Sequence, residues 1–342
     1  MAAKNINIGN IAPTVSIIMV TYNHGRYIEQ AINSILSQNF NGSIELIIGD
    51  DCSTDDTTKI VHHFHENYPE TIRLIKSDNN VGAHANFKRC IRACNGAYIA
   101  LCEGDDYWHE KNKLQLQIDY LESKPFTGAV HSDFSYTMLI DGKWKTIACF
   151  NKRYRKKIPS GNIFHQLIAQ NFILTCTLCA RTELVKNFLD SDLPIDNYLV
   201  GDWPLYLFIS STHEIEYFNQ SLATYRKTLG SITNSGYEND IARAEDSIKM
   251  TNDFCKIYKL PESVRLAAHR NAARHILRAS LVAKNMSRYE HYWSVFKSTH
   301  PNHMDVMYLK LERIVVYSSV LHCFYSLYSK LRSFITNRWL YR

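Results

Sequence analysis

Four short apolar runs alternate with helical patterns over the first hundred residues, and this alternation constrains the fold more than any other feature. The runs are residues 15–20, 44–48, 72–75 and 97–101. Short continuous apolar runs are typical of strands that are buried on both faces. The segments between them place apolar residues at helical spacing. This order predicts an α/β fold, a doubly wound, mostly parallel sheet with helices on both faces.

Polar residues follow three of the predicted strands. They are Thr21, Tyr22 and Asn23 after the first strand, Asp50 and Asp51 after the second, and Glu103, Gly104, Asp105 and Asp106 after the fourth. In doubly wound sheets, ligands bind outside the carboxyl ends of the strands. We therefore expect these three groups to meet at one edge of the sheet and to form a binding site.

The acidic segment 103–106 indicates the chemistry of that site. Its three carboxylates lie within four positions and repel one another. A hard divalent cation with a phosphate-bearing ligand would relieve the repulsion. The alternative is a solvated acidic turn before the helix predicted near Glu110. The sequence contains neither GxxxxGK[ST] nor GxGxxG, which argues against kinase-like and dehydrogenase-like functions. The remaining interpretation is a reaction on a nucleotide diphosphate compound, assisted by Mn²⁺ or Mg²⁺.

Two residues further along the chain fit such a reaction. Asp202 stands among apolar residues just before a predicted helix, where it would be a general base or an N-cap. Arg226 ends a predicted strand before a flexible loop. It would contact a diphosphate or be an ordinary surface arginine. The CxxC pair Cys176 and Cys179 is assigned to core packing, and the histidines of segment 62–65 to a helix surface rather than to zinc.

Four segments carry a resemblance to a known family. They are residues 15–23 (VSIIMVTYN), 27–38, 45–55 (ELIIGDDCSTD), and 80–82 followed by Asn86. In these residues the chain resembles glycosyltransferase family 2, whose members have the GT-A fold. The resemblance is clear over residues 14–117 and looser up to residue 231. Two departures stand out: Glu103 replaces the more usual Asp, and Cys52 replaces the more usual Gly after the paired aspartates.

The resemblance implies roles for individual residues. Thr21 and Asp51 would contact the nucleoside, with Tyr22 near the base; Asn23, Asp50, Asn86 and Gly104 would belong to the same nucleotide-sugar site. Glu103 would face the ribose, Asp105 would bind the metal, and Asp106 would support it. Asp202 falls where the family places its catalytic base, and Arg226 where a loop closes over the diphosphate.

The function implied is an inverting, metal-dependent hexosyltransferase. It would move a single sugar from a nucleotide-diphosphate donor, UDP-linked by preference, to an acceptor hydroxyl of a cell-surface polysaccharide or glycolipid. The sequence has no QxxRW motif, which argues against a processive synthase. The alternatives are a nucleotide-sugar-binding protein without turnover and a sugar nucleotidyltransferase.

The organisation of the chain is predicted in three parts. Residues 1–125 would bind the nucleotide sugar, residues 126–238 would supply the acceptor site and the base, and residues 239–342 would be helical. A net charge of +6 does not indicate nucleic-acid binding. Without a signal-peptide pattern or a long apolar run, we expect a cytoplasmic protein. The aromatic and basic segment 310–342 would either lie on the anionic inner face of the cell membrane or pack on protein.

Overall fold

The computed structural model describes residues 14–154, 157–228 and 236–317. Within these ranges the chain forms two compact units. The first contains the described residues up to Ser135, together with Ile173–Leu193 and Thr212–Arg226. The second contains Tyr136–Phe172, Pro194–Ser211 and the described residues from Lys227 onward. The three-part division stays a prediction, and most of the segment proposed to contact a membrane, residues 318–342, lies outside the described ranges.

The first unit begins with the predicted alternation of strands and helices. Its elements are β1 (Val15–Thr21), α1 (Ile28–Leu36), β2 (Ile44–Asp50), α2 (Thr57–Asn67), β3 (Ile72–Ile75), α3 (Ala83–Ala93) and β4 (Tyr98–Leu101). The strands are ordered β3-β2-β1-β4, and all three pairs are parallel. The α/β fold predicted from the apolar runs is confirmed.

The rest of the chain makes this sheet mixed. The next elements are β5 (Tyr107–Trp108), α4 (Lys113–Ser123), β6 (Thr127–Ile140), β7 (Lys143–Ile147), α5 (Phe150–Tyr154), α6 (Phe164–Ala169), β8 (Cys179–Arg181), α7 (Thr182–Leu189), α8 (Asp202–Ser210) and β9 (Glu214–Lys227). Antiparallel pairs join β8 to β4 and to β6, β5 to β9, and β7 to β6. The parallel arrangement therefore holds for the first four strands only.

The apolar segment 172–179 predicts a further strand, and this prediction is wrong. Thr175–Thr177 instead form a 3₁₀ turn, and β8 begins only at Cys179. The turn closes because the Thr177 N–H and hydroxyl both donate to the Leu174 carbonyl, at 3.0 and 2.7 Å. Cys176 and Leu178 are nevertheless buried. The apolar run reports this burial correctly, but burial alone does not distinguish a strand from a turn.

The helices of the second unit pack on one another. They are α9 (Tyr237–Ile257), α10 (Glu262–Val282), α11 (Met286–Ser298) and α12 (His303–Tyr317). Ile276 of α10 packs against Ile241 of α9, and Leu277 packs against Tyr289 and Phe296 of α11. The sequence predicts a turn near Pro261, and the structure confirms it, since Pro261 is the N-cap of α10. Over the described residues, we find no helix with the length and apolar character needed to cross a membrane.

A lysine lies in the core of the first unit, beneath the sheet residues that lead to the acidic segment. Lys113 is fully buried; its Nζ donates to Gln117 Oε1 at 2.6 Å and lies 4.1 Å from the centre of the Trp108 ring. Gln117 in turn donates to the Thr177 carbonyl at 2.9 Å. Burial lowers the pKa of the Lys113 ammonium from 10.5 to about 8, since removing it from water disfavours the charged form.

This buried lysine makes stability depend on pH. Between pH 8 and 10.5 the unfolded chain binds this proton and the folded chain does not, so the free energy of unfolding rises with pH across that interval. Replacing Lys113 by Met should remove this rise, which amounts to roughly 3 kcal/mol for a shift of this size. Urea unfolding at pH 7.5, 9 and 10 measures it for both proteins. Equal pH profiles would show that Lys113 titrates normally.

Candidate active site

The carboxyl ends of β1, β2 and β4 lie next to one another. Thr21 pairs in register with Asp50, and the Asp51 N–H donates to the Thr21 carbonyl at 3.0 Å. Beyond the end of β4, the chain continues along β1, where the Gly104 N–H donates to the Val20 carbonyl at 3.1 Å. The structure thus brings together the three polar groups that follow these strands, while their binding roles stay predictions.

The paired aspartates of β2 organise the loops around this edge. Asp50 is buried; its Oδ1 accepts the Ser53 hydroxyl at 2.5 Å and its Oδ2 accepts the Thr58 hydroxyl at 2.6 Å. The buried Asp51 accepts the N–H groups of Val81 and Gly82 at 2.9 and 2.8 Å, one on each oxygen. Each carboxylate oxygen has a second lone pair. Asp51 therefore fixes the segment before α3 and can still accept a hydrogen bond from a base.

The backbone beside these aspartates adopts left-handed conformations. Asn23 has a φ of +56° and Cys52 a φ of +64°. Asn tolerates this region well, whereas glycine is the residue that adopts it without steric cost. The departure at Cys52 therefore places a side chain where the backbone favours glycine. Tyr22, the residue expected near the base, is 43 % exposed and accessible for stacking.

Asn86 is buried between β2 and α3. Its amide donates to the Gly49 carbonyl at 2.7 Å and accepts from Arg89 Nε at 2.8 Å. A Cβ on Gly49 would lie 2.4 Å from both Asn86 Oδ1 and Cys90 Sγ, so this close approach requires glycine. The structure gives Asn86 a role in packing α3 against the sheet, and its contact with a nucleotide stays a prediction.

Asp106 and Arg226 join the acidic segment to β9. Asp106 is buried, and its Oδ1 accepts the Arg226 N–H at 2.8 Å. Burial raises the pKa of the Asp106 carboxyl well above its usual range, and the carboxylates of Asp105 and Glu103 raise it further. The Arg226 N–H and the Cys176 thiol act in the opposite direction by donating to it. Burial therefore disfavours the charged form of Asp106.

The Arg226 side chain is also buried, with 5 % of its surface exposed. Its guanidinium donates to the Asp105 carbonyl at 2.7 Å and to Gln30 Oε1 at 2.6 Å, and it lies 4.8 and 5.1 Å from the ring centres of Tyr27 and Tyr107. These contacts fix the backbone of the acidic segment. They identify Arg226 as a partner of that backbone, and its contact with a diphosphate stays a prediction.

Gly104 and Asp105 of the acidic segment lie close to the residues at the end of β1. A Cβ on Gly104 would lie 2.6 Å from Thr21 Oγ1 and 2.8 Å from His24 Nδ1. Asp105 Oδ2 lies 3.9 Å from His24 Nε2, and the two side chains are 14 % and 22 % exposed. His24 had no predicted role, although it directly follows the residues expected at this edge of the sheet.

These residues fit a divalent cation that has few protein ligands. The described residues hold no group of three or more His, Cys, Asp or Glu side chains in metal-binding arrangement. A cation at Asp105 would therefore complete its shell with water and phosphate oxygens, as Mg²⁺ and Mn²⁺ do at phosphate-binding sites. The buried Thr21 hydroxyl beside this position makes no hydrogen bond within the described residues.

Asp202 lies in the second unit, as the first residue of α8. The N-cap of α8 is Gly201, so Asp202 is not the N-cap that the sequence allowed. Asp202 Oδ1 accepts the Trp203 N–H at 2.7 Å, and Oδ2 lies 3.4 Å from the Tyr206 hydroxyl. The Trp203 indole donates to the Leu167 carbonyl at 2.9 Å, which anchors this end of the helix.

The loop before Asp202 is held by one face of α9. Asp246 Oδ2 accepts the Leu199 N–H at 2.7 Å, and Asp253 Oδ2 accepts the Tyr198 hydroxyl at 3.0 Å. Between them, Lys249 donates to the carbonyl of residue 197 at 3.0 Å. The spacing of three and then four residues places these side chains on one face of the helix.

The fold is GT-A-like: four parallel strands with a polar edge continue into a mixed sheet, and helices follow at the C-terminal end of the described chain. The comparisons with known proteins agree: residues 16–183 match the family model described as glycosyl transferase family 2. Residues 16–183 therefore form a glycosyl transferase family 2 domain.

Two relatives illustrate this similarity. The uncharacterized protein Rv1520 of Mycobacterium tuberculosis is 32% identical over 223 residues, which cover 65% of this chain and 61% of that protein. The match thus spans about three-fifths of its length. The uncharacterized glycosyltransferase alr2836 of Nostoc sp. is 27% identical over 252 residues, which cover 70% of this chain and 74% of that protein.

Two solved structures share the fold. The mannosyltransferase PcManGT from Pyrobaculum calidifontis, in complex with GDP-Man and Mn²⁺, aligns with a TM-score of 0.56 at 14% identity, over 96% of this chain and 88% of its own. TarS of S. aureus, in complex with UDP-GlcNAc, aligns with a TM-score of 0.51 at 17% identity, over 84% of this chain and 91% of its own.

Gly104 tests the close approach of the acidic segment to β1. Replacing Gly104 by Ala should force Thr21 and His24 apart, because a Cβ has no room between them. We expect a loss of roughly 1–3 kcal/mol in the free energy of unfolding, the usual cost of overpacking. Urea denaturation measures it, with Gly142→Ala as a comparison, since that glycine has open space but a φ of +72°. A smaller loss at Gly104 than at Gly142 would contradict the close packing.

Proposed function

We propose that this protein is an inverting glycosyltransferase that moves a single sugar from a nucleotide-diphosphate donor to an acceptor hydroxyl. The observation that carries the proposal is the acidic segment 103–106, which lies against the carboxyl end of β1 and beside the paired aspartates of β2. Membership of glycosyl transferase family 2 gives this arrangement its chemical context.

The donor would bind at the edge formed by β1, β2 and β4. Asp51 offers acceptor capacity for a base, Tyr22 an exposed ring for stacking, and Glu103 a carboxylate for ribose hydroxyls. Thr21 offers a buried hydroxyl without a protein partner in the described structure. A uridine donor is our first choice. TarS is solved with UDP-GlcNAc and PcManGT with GDP-Man, so both nucleotides belong in a screen.

Asp105 would hold Mn²⁺ or Mg²⁺ together with the diphosphate. When bound, such an ion neutralises charge that develops on the departing diphosphate. Asp106 and Arg226 would keep Asp105 in place. The Arg226 N–H binds the Asp106 carboxylate, and the Arg226 guanidinium binds the Asp105 carbonyl. Glu103 then contributes negative charge near the ion without needing to coordinate it.

Asp202 would act as the general base. It would take the proton from the acceptor hydroxyl as the oxygen attacks the anomeric carbon, and the bond to the diphosphate breaks on the opposite face. Direct displacement of this kind inverts the configuration at that carbon. The hydrogen bond from Trp203 orients the Asp202 carboxylate, and α9 holds the loop that precedes it.

We propose a cytoplasmic enzyme of cell-surface polysaccharide or glycolipid synthesis, in peripheral contact with the inner face of the membrane. Support for this comes from the basic and aromatic segment 310–342. A nucleotide-sugar-binding protein without turnover remains the alternative, in which Asp202 would serve only α8.

The base assignment is tested by replacing Asp202 with Asn. Asn keeps the shape and the acceptor for the Trp203 N–H but cannot take a proton, so we expect transfer to fall by about 10²–10⁴-fold. Donor affinity should stay within about twofold. Initial rates of UDP or GDP release and calorimetric binding of the same donor provide the two readouts. The control is Asp192→Asn, an exposed carboxylate. Unchanged transfer in the Asp202 variant would refute the assignment.

The metal assignment is tested by replacing Asp105 with Asn. We expect Mn²⁺-dependent UDP binding to weaken roughly tenfold or more, because the variant loses its charged ligand. Calorimetry with UDP, with and without Mn²⁺, measures this effect, and Asp119→Asn on the exposed face of α4 serves as the control. If the Asp105 variant keeps the full effect of Mn²⁺, Asp105 is not the metal ligand.

A further inference from the structure

The position of His24 is fixed by its backbone. On one side, the Asn23 N–H donates to the Ser53 hydroxyl at 2.9 Å and the Gly25 N–H donates to Asp55 Oδ2 at 2.9 Å. On the other side, the His24 carbonyl accepts N–H groups from residues 27 and 28 at 2.8 and 2.9 Å, at the start of α1. These hydrogen bonds hold the backbone of His24 in the connection between β1 and α1.

The His24 ring is directed at the acidic segment. Its Nε2 lies 3.9 Å from Asp105 Oδ2, too far for a direct hydrogen bond. Its Nδ1 and the Thr21 hydroxyl both approach the position that a Cβ on Gly104 would occupy, at 2.8 and 2.6 Å. Thr21, His24 and Asp105 therefore converge on one small volume at the end of β1.

Two buried polar atoms in this volume have no protein partner. Thr21 Oγ1 and His24 Nδ1 are inaccessible and make no hydrogen bond among the residues that the structure describes. Thr21 itself is 3 % exposed. A buried polar group left without a partner costs about 1–3 kcal/mol, so such atoms commonly mark the place of a ligand or an ordered water.

We propose that His24 Nε2 and Asp105 Oδ2 are the two protein ligands of one divalent cation; the inference rests on the proposed donor site. Ligands at about 2.1 Å from an octahedral ion are about 3.0 Å apart when adjacent and about 4.2 Å apart when opposite. The observed 3.9 Å lies between these values, so a small rotation of either side chain places the two atoms as adjacent ligands of one ion. Water and diphosphate oxygens complete the shell. Because Nε2 binds the ion, the ring proton lies on Nδ1, on the side of Thr21.

A nitrogen ligand has a consequence for metal preference. Imidazole suits transition metals, whereas Mg²⁺ prefers oxygen ligands only. A site with one imidazole and one carboxylate should therefore favour Mn²⁺ over Mg²⁺. A site with Asp105 alone would discriminate less between the two ions, so the loss of His24 should weaken Mn²⁺ binding more than Mg²⁺ binding.

The test uses the full chain with Mn²⁺ and inorganic pyrophosphate, which contains no nitrogen. Electron spin echo modulation of bound Mn²⁺ should then show coupling to one ¹⁴N nucleus of the protein, and the coupling should vanish in His24→Ala. The Mn²⁺ affinity of the variant should fall roughly tenfold or more, with a smaller change for Mg²⁺. His63→Ala, an exposed histidine of α2, serves as the matched control and should behave as the wild type.

The outcomes separate this inference from the proposed function. If Asp105→Asn abolishes Mn²⁺ binding but the wild-type protein shows no nitrogen coupling, His24 is not a ligand and the donor site is unaffected. The same holds if the coupling persists in His24→Ala, or if affinity falls without any coupling in the wild type, which would make His24 a phosphate contact. No Mn²⁺ binding by the wild type, even with pyrophosphate, would refute the metal site itself. The nitrogen coupling is measured on the wild-type protein, so this part of the test does not depend on the folding of any variant.

Discussion

The candidate site depends on the hydrogen bonding of β1 along both of its edges. β1 pairs with β2 over its whole length and with β4 over four residues, and the chain beyond β4 continues this contact as far as Gly104. Because parallel strands end on the same side of a sheet, this pairing alone places three separate polar segments together. Glycine permits the tightest contacts: a Cβ on Gly96 would lie 2.5 Å from the Ser16 nitrogen.

The acidic segment is held in place through contacts with β9. Asp106 is buried and accepts a backbone N–H from β9. Arg226 reaches the segment through the Asp105 carbonyl rather than through a carboxylate. Backbone contacts therefore set the position of the segment, while the Asp105 side chain retains some exposure beside His24. A cation and a diphosphate would then meet negative charge that the protein has oriented in advance.

The sequence predicted the parts of this structure that are recorded in local patterns. The apolar runs of β1 to β4 and the helical spacing of α1 identified the α/β fold, and the polar residues after the strands identified the edge at which they meet. Antiparallel pairing of β8, β6 and β5 was not predictable, since strand order depends on contacts between distant segments. The 3₁₀ turn before β8 was read as a strand because burial produces the same apolar run in both.

The individual residues of the site show the same limit. Arg226 was expected at the surface or on a diphosphate, and its burial between two tyrosine rings depends on residues 27 and 107, which lie far from it in sequence. His24 carried no signal of its own, because a single histidine after a strand has no distinctive spacing. Its proximity to Asp105 results from the loop hydrogen bonds and from the absence of a side chain at Gly104.

The contact between α9 and the loop before Asp202 means that this loop becomes ordered when the protein folds. Three side chains on one helix face attach to three consecutive residues, 197–199. The conformational entropy of this segment is thus lost once, when the protein folds, and not again each time an acceptor binds. In the proposed role of general base, Asp202 would meet an acceptor from a loop that is already ordered. The contribution of α9 to transfer would then be to hold that loop.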